Sequence, residues 1–274
     1  REHYKFICFR HDVKSLNCIR LYYLNGKTAK NGYHPHFVRR YYCAKYKVYK
    51  HHFVSLFTGV AFLKLAKPAL DVGLYTNQLD PSLAFWQDQV GLTYSEMLPL
   101  GGGARQHRHA IGDSVLKVNH SRHELEVGDS GLSKLSIYSA SVEEPAQLLD
   151  PNGNDIDLCP ITAQSPNLTL TLAVTDLARS QEFYAQTLGL PQDDESGFRA
   201  GASQILLTQG GKLGEVPQKA LGLRYMTFQI FDVVAEHAYV ISHGGSEGMA
   251  PVRLGEVAFI SFVRYPDGNW IELS

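Results

Sequence analysis

The densest group of chemically active side chains in the sequence lies between residues 105 and 123. Two polar stretches form this group: Arg105-Gln106-His107-Arg108-His109 and Lys117-Val118-Asn119-His120-Ser121-Arg122-His123. Arginine can bind a carboxylate or phosphate bidentately, and histidine can transfer protons near neutral pH. We therefore predict a cationic pocket for an anionic small molecule. The catalytic candidates are His107, His109, Lys117 and His120, and the substrate-binding candidates are Arg105, Arg108, Asn119 and Arg122.

Two other interpretations of this group stay open. It could be a solvated outer face, or a metal centre that uses His107, His109 and His120, because two histidines at alternate positions of one strand can chelate a cation. A clear acidic third ligand is missing. His107 and His109 share one face of a strand, as do Lys117 and Asn119, and hairpin register decides which face lines a cavity.

The local pattern places these stretches in a β-hairpin. Residues 105–110 and 114–119 flank Ile111-Gly112-Asp113, a turn signal. Upstream, residues 69–76 have the alternation of a strand with one buried face, and residues 82–90 have helical spacing that ends at Gly91.

This arrangement is repeated along the chain. Residues 79–92 recur 98 positions later as residues 177–190 with five identities, and residues 150–158 recur 115 positions later as residues 265–273. Each copy predicts the order βαβββ, with turns at 151–153 and 266–268 leading into a last strand. We expect four units, and the second has no room for a full helix. They span residues 68–128, 131–160, 167–215 and 222–274.

The repeated motifs resemble those of a known family. Leu-x-x-Ser-x-x-Phe-Tyr/Trp followed by Gly-Leu, with a closing strand of the Asp-Pro-Asp-Gly-Asn-x-Ile-Glu-Leu type, is similar to the vicinal-oxygen-chelate superfamily of glyoxalase I, bleomycin-resistance proteins and type I extradiol dioxygenases. The resemblance implies an α+β fold in which tandem βαβββ modules pair into two half-open barrels. We expect an N-terminal domain at 66–160 with its second module shortened, and a C-terminal domain at 166–274.

The resemblance also implies a function. It predicts action on a small, oxygen-rich, anionic organic molecule by a lyase, an isomerase or a dioxygenase, and the prediction leans towards an enzyme. The alternative is a metal-independent protein that binds or sequesters a small molecule, as bleomycin-resistance proteins do. Fold alone does not choose between them.

Members of this superfamily commonly use a divalent metal, here Fe, Mn, Zn or Ni. The residues at the family's ligand positions are Thr169, Leu206, Tyr225 and Glu272 in one half, and Asp71, Lys117, Lys134 and Asp157 in the other. Glu272 is the best candidate for a metal ligand, followed by Asp71 and Asp157. A lysine ammonium has no lone pair, so the acids and lysines of the first half predict ion pairs and a degenerate metal site. Tyr225 is expected to line the pocket and bind substrate.

Charge and composition mark a boundary near residue 62. Residues 1–62 carry 12 basic and 2 acidic residues, a formal charge of +10, and the remainder carries 14 and 25, a charge of −11. We expect 1–62 to be a basic, Tyr- and His-rich extension of unknown fold outside the functional unit, either disordered or translated from upstream of the true start. Alternatives are nucleic-acid binding and a zinc site of Cys8, Cys18, Cys43, His34 and His36, whose spacing lacks paired cysteines.

Composition also limits location and partners. The chain is 44% hydrophobic and 19% charged, typical of a globular protein, and no apolar run is long enough to span a bilayer. Cys159 is the only cysteine after residue 62, so we expect no disulfide in this part and a cytoplasmic location. The expected partner is a small molecule, with no nucleic acid and no membrane, and a homodimer is allowed.

Overall fold

The computed structural model describes residues 63–194, 196–211, 217–254 and 258–274, and the backbone of three earlier strands. Contacts divide the chain into two units, residues 1–57 and 58–274. The first unit contains β1 (Lys5–Arg10), β2 (Cys18–Leu24) and β3 (Tyr41–Tyr42), which pair antiparallel in that order. The hypotheses on nucleic-acid binding, on zinc and on the native origin of residues 1–62 concern side chains that lie outside the described residues.

The second unit consists of four modules. The first contains β4 (Leu65–Thr76), α1 (Leu79–Ala84), a π-helical turn (Phe85–Gln89), β5 (Thr93–Gly101), β6 (Ala104–Ile111) and β7 (Ser114–Ser121). The second contains β8 (Leu132–Ser139), β9 (Ala146–Leu149) and β10 (Asp155–Pro160). The third contains β11 (Leu168–Val174), α2 (Leu177–Glu182), a π-helical turn (Phe183–Thr187), β12 (Gly197–Ala200) and β13 (Ser203–Gln209). The fourth contains β14 (Gly222–Ile230), α3 (Val233–Ser242), β15 (Ser246–Leu254), β16 (Ala258–Arg264) and β17 (Trp270–Leu273).

The two repeated helices end as their glycines predict. Gly91 has φ 76° and Gly189 has φ 66°, a region that residues with a Cβ rarely adopt. The left-handed turn lets the Leu92 amide donate to the Trp86 carbonyl, and the Leu190 amide to the Tyr184 carbonyl, both at close to 3 Å. Each helix therefore stops at the end of its repeated motif and returns the chain to the sheet.

The strands form two sheets that join modules in an order the sequence does not predict. The eight-stranded sheet has the order β15-β16-β17-β14-β4-β7-β6-β5, and the six-stranded sheet has the order β12-β13-β11-β8-β10-β9. The first module thus pairs with the fourth through β4 and β14, and the second with the third through β8 and β11. The expected pairing of consecutive modules is wrong, and residues 66–160 and 166–274 each supply strands to both sheets. The α+β fold of paired modules is confirmed, with the full βαβββ order in the first and fourth modules.

The repeated turns also connect the two sheets, because their side chains bridge from one sheet to the other. The Asn154 Oδ1 atom accepts from the Leu223 amide at 2.9 Å, and the Asn269 Oδ1 atom accepts from the Gly131 amide at 2.7 Å. Each turn at the start of a last strand therefore holds the first strand of a module in the other sheet. Satisfying these backbone donors ties the two sheets together at equivalent places.

A buried arginine joins the two linkers that run between modules. Arg224 is 2% exposed, and its guanidinium donates to the carbonyls of Gly128, Asp129, Ala220 and Leu221. Burial lowers the pKa of Arg224 to about 10, so it stays protonated at neutral pH. The linkers after the first and third modules are thereby held side by side.

No helix within the described ranges is long and apolar enough to cross a membrane.

Loss of one turn contact should destabilise the second unit. Asn269→Ala removes the acceptor of the Gly131 amide and the donor to the Tyr265 hydroxyl, which lies 2.6 Å away in a buried site. We expect a loss of about 1–3 kcal/mol in the free energy of unfolding, measured by chemical denaturation. Gln147→Ala, at an exposed position, is the control, and equal losses in both variants would contradict the bridging role.

Candidate functional site

The eight-stranded sheet has one face in the main core and a second, inner face with a different composition. Met226, Phe228 and Leu273 belong to the main core. Tyr225, which alternates with Met226 along β14, belongs to a separate aromatic cluster on the inner face: Tyr75, Tyr225, Ile260, Phe262 and Trp270. Strand alternation thus separates a packed face from a face that combines aromatic and polar side chains.

A buried ion pair lies at the centre of the inner face. The Lys117 Nζ atom is 2.6 Å from the Glu272 Oε2 atom, and the two side chains are only 4% and 10% exposed. Lys117 also donates to the Thr227 hydroxyl at 2.8 Å, and that hydroxyl donates to Glu272 at 2.6 Å. One carboxylate therefore accepts from an ammonium and a hydroxyl, so its charge is compensated and its hydrogen bonds are partly satisfied.

A chain of hydrogen bonds crosses the sheet beside this pair. Arg108 donates to Glu96 and to the Gln106 Oε1 atom, at 3.0 and 3.1 Å. The Gln106 amide donates to Asn119 at 2.9 Å, and the Asn119 amide donates to the Tyr225 hydroxyl at 3.0 Å. These residues lie on β5, β6, β7 and β14. The first three strands are neighbours in the sheet, and β4 lies between β7 and β14.

A glycine on β4 makes this crossing possible. A Cβ built on Gly73 would lie 2.0 Å from the Tyr225 ring, so only glycine leaves the ring room to pass over β4 and reach Asn119. A glycine inside a strand often marks a close approach of another group. Gly73 could therefore have indicated this crossing from the sequence, but it was not predicted. Thr227, Gln106, Tyr75 and Trp270 were missed as well, since their inner-face position follows from strand pairing alone.

The two tyrosines of the inner face stay protonated. Burial, with a smaller effect from the Glu272 charge, raises the pKa of Tyr75 to about 12. The same two causes, in the same order, raise the pKa of Tyr225 well above 10. Both phenols are therefore hydrogen-bond donors across the physiological range.

The predicted pocket of residues 105–123 is divided among three places. Lys117, Asn119 and Arg108 lie on the inner face with Tyr225 and Glu272. His107 and His109 alternate with Arg108 on β6 and therefore point to the opposite face. His120 and Arg122 line a separate open groove. The structure therefore separates Lys117 from the three histidine candidates.

The histidines of the opposite face are buried among apolar and aromatic groups. His109 is 0% exposed, its Nε2 atom is 3.3 Å from the Gln87 amide nitrogen, and its ring lies edge-on to Tyr94. Burial lowers the pKa of His109 to about 4, and the neighbouring His107 adds to the shift. Burial also lowers the pKa of His107, followed by the charges of His120 and Arg105. Neutral imidazoles in this setting fit a packing role.

The groove lies where β4 and β7 end. Its volume is about 400 Å³, and its lining residues are Asn77, His120, Ser121, Arg122 and Glu124. Arg105 is the register partner of His120 on the neighbouring strand. Burial, Arg105 and Arg122 lower the pKa of His120, whereas Asp80 acts in the opposite direction. The groove thus holds two of the predicted binding and catalytic residues, but acidic groups offset its arginines.

The six-stranded sheet has an equivalent but more open ion pair. The Lys134 Nζ atom is 3.0 Å from the Asp157 Oδ2 atom, with side chains 32% and 22% exposed. Ion pairs among the acids and lysines of the first half were expected, and Lys134 and Asp157 do pair with each other. Asp71 instead accepts from Lys67 at 2.5 Å and from the Val115 amide at 2.8 Å. Thr169 lies on β11 at a position where the resemblance implies a metal ligand. Within the described ranges its hydroxyl forms no hydrogen bond with a charged group, and it donates to the Gln204 Oε1 atom at 3.0 Å.

The residues present do not fit a divalent metal. Glu272, Asp71 and Asp157 are each paired with a lysine ammonium, which repels a cation and cannot coordinate it. Across the described residues, no three His, Cys, Asp or Glu side chains are grouped closely enough to hold an ion. His107, His109 and His120 form no such group, and this alternative centre stays an unconfirmed hypothesis.

Comparisons with known proteins support the fold. Residues 168–273 match the family described as the Glyoxalase/Bleomycin resistance protein/Dioxygenase superfamily. Glyoxalase I from Zea mays is similar in structure, with a TM-score of 0.63 and 16% identity over 75% of this chain and 92% of that chain. The cppA protein from Streptococcus pneumoniae has a TM-score of 0.47 and 11% identity over 77% of this chain and 98% of that chain. No curated protein matches. At 16% identity, the likeness to the maize enzyme shows the shared fold alone.

Removal of one partner of the inner ion pair should be costly. Lys117→Met leaves the Glu272 charge buried and unpaired, so we expect a loss of about 3–5 kcal/mol in the free energy of unfolding. The double variant Lys117→Met/Glu272→Gln should lose clearly less than the sum of the two single variants in chemical denaturation. Lys134→Met, in the more exposed equivalent pair, is the matched control and should cost about 1 kcal/mol or less. Additive single losses would refute the coupling.

The buried His109 should make the protein sensitive to acid. Because folding lowers its pKa below the unfolded value of about 6.5, the stability that it contributes is complete above pH 6.5 and is lost as the pH falls towards 4. The loss should reach about 3 kcal/mol by linkage, measured from unfolding curves between pH 7 and 4. His109→Gln should flatten this dependence, and His123→Gln, at an exposed position, should not. An identical acid dependence in all three proteins would disprove the assignment.

Proposed function

We propose that the inner face of the eight-stranded sheet binds a small oxygen-rich organic molecule without a divalent metal, as a protein whose residues 168–273 match the Glyoxalase/Bleomycin resistance protein/Dioxygenase superfamily. The Lys117–Glu272 ion pair is the observation that carries this proposal. It places a fixed ammonium beside the acid that the sequence predicts as the metal ligand. The protein itself thus places an ammonium, paired with that carboxylate, at the centre of the face.

The inner face combines the features of a small-molecule site. Ligand sites in proteins are mainly apolar and aromatic, with a few polar groups held in place by their own hydrogen bonds. Phe262 and Trp270 supply aromatic groups, and their ring centroids are 5.8 Å apart in an edge-on arrangement. Tyr225 and Lys117 supply donors held in place by Asn119, Thr227 and Glu272.

Binding or sequestration is the activity that these residues support best. The lyase, isomerase and dioxygenase activities implied by the resemblance use a metal as a Lewis acid with an open coordination position. Lys117 can donate hydrogen bonds but cannot coordinate, and Glu272 is held by two donors. The alternative inferred from the sequence, a metal-independent protein of the bleomycin-resistance type, therefore becomes our proposal. A cytoplasmic location and a homodimer stay predictions.

The two tryptophans of the sequence allow a direct test, because Trp270 belongs to the inner face and Trp86 to the main core. Benzoate, 4-hydroxybenzaldehyde and pyruvate would be titrated against Trp86→Phe and Trp270→Phe. We expect at least one compound to change the fluorescence of Trp86→Phe, in which Trp270 is the reporter. The matched variant Trp270→Phe should show no change. A response confined to Trp270→Phe would place the ligand elsewhere and overturn the proposal.

Metal independence is tested in the same preparation. Elemental analysis of the purified protein, and melting with a chelator or with added Zn²⁺, Ni²⁺, Mn²⁺ or Fe²⁺, should reveal neither a bound ion nor a shift in Tm. Ligand binding should be unchanged by the chelator. A stoichiometric metal whose removal abolishes binding would contradict the proposal.

A further inference from the structure

We infer that Tyr75 and Tyr225 form a pair of neutral phenol donors that binds one oxygen of a flat, conjugated ligand, either a carbonyl or a phenolate oxygen. This inference rests on the proposed function and names the ligand class of the same inner face. Three observations carry it: the direction of the hydrogen bonds around Tyr225, the position of Tyr75, and the aromatic surface next to both.

The direction of each hydrogen bond to Tyr225 is determined by groups that have only one role. The Leu74 carbonyl can only accept, and it lies 2.9 Å from the Asn119 Nδ2 atom, which is therefore the amide nitrogen. At the other end of the chain, the Arg108 guanidinium can only donate, so the Gln106 atom that contacts it is the oxygen. Both amides are thus oriented without ambiguity.

These amide orientations determine the role of the Tyr225 hydroxyl. Asn119 Nδ2 donates to it at 3.0 Å, so the phenol oxygen is the acceptor and its own proton is directed elsewhere. Among the described residues, no acceptor is hydrogen-bonded to that proton. The ring is 3% exposed. A buried donor without an acceptor is costly, and a ligand oxygen would remove that cost.

Tyr75 supplies the second donor. It follows Gly73 on the same face of β4, and its ring centroid is 6.2 Å from that of Tyr225. No described residue hydrogen-bonds to its hydroxyl. Because burial, and to a smaller extent the Glu272 charge, raises the pKa of both phenols, neither is expected to ionise near neutral pH. Two neutral donors on adjacent rings can together stabilise a partial or full negative charge on one ligand oxygen.

The surroundings select a flat ligand body. The two tyrosines cluster with Ile260, Phe262 and Trp270, and the Tyr225 and Phe262 rings meet edge-on at 5.6 Å. The Lys117 Nζ atom lies 5.8 Å from the Tyr225 ring centroid, so the ammonium of the buried ion pair is adjacent to the same ring. Aromatic walls beside two donors fit a conjugated ring or enone that carries an oxygen at its edge.

The probe for this inference is 4-nitrophenol, because its neutral and ionised forms differ in visible absorbance. Wild-type protein is titrated with the probe at a pH where most of the free probe is protonated. We expect the bound probe to ionise, since two phenol donors stabilise the phenolate oxygen. Tyr225→Phe and Tyr75→Phe should each weaken phenolate binding about tenfold, as expected for one hydrogen bond to a charged acceptor.

The variants are chosen to leave the packing intact. Phenylalanine keeps each ring, and Asn119 keeps its bond to the Leu74 carbonyl when the Tyr225 hydroxyl is removed. Tyr138→Phe is the matched control, because its hydroxyl lies on the six-stranded sheet near Thr169. It should bind the probe like the wild type. Thermal melting of each variant verifies that it is folded.

The outcomes separate this inference from the proposed function. Binding that both Phe variants leave unchanged would overturn the phenol pair, even where the Trp270 signal with other ligands upholds the inner face as a binding site. Binding of the neutral probe without ionisation would overturn it as well. Absence of probe binding in a wild-type protein whose Trp270 responds to benzoate or pyruvate would exclude the inferred ligand class. Loss of the Trp270 response to every compound would instead refute the proposed function.

Discussion

The pairing of Lys117 with Glu272 is the constraint on which the eight-stranded sheet depends. The two residues are separated by 155 positions in the sequence and belong to the first and last modules. Neither charge is stable alone in so buried a position, so the two modules must be in register for either to be tolerated. The inner face, with its aromatic cluster and its hydrogen-bond chain, follows from that register.

The repeated turns provide the second constraint, and they act on backbone rather than on charge. Asn154 and Asn269 each cap an amide at the start of a strand in the opposite sheet. Their equivalence explains why two modules so different in length, the second and the fourth, can occupy corresponding positions. The turn can be repeated although the modules differ, because it needs only a backbone amide at the equivalent place in the other sheet.

The local elements could be predicted from the sequence, whereas their partners could not. The ends of the two helices at Gly91 and Gly189, the β6–β7 hairpin and the missing helix of the second module all follow from patterns within about 20 residues. The choice of β14 as partner of β4 depends on one long-range fit, in which Tyr225 passes over Gly73. No local period contains that information. The predicted polar patch failed as one pocket for a related reason: alternation along β6 and β7 distributes its members over two faces.

The order in which the modules are joined also affects how the chain reaches its fold. Register partners Leu135 and Leu170 of β8 and β11 are 35 residues apart, whereas Asp71 and Thr227 of β4 and β14 are 156 apart. Closing the longer loop costs more entropy and makes non-local pairing slow. During synthesis the six-stranded sheet can form as soon as the third module leaves the ribosome. The edge of β4 that pairs with β14, including Val72 and Leu74, stays without a partner strand until the fourth module has been synthesised. During this interval the nascent chain exposes an unpaired strand edge, which favours aggregation.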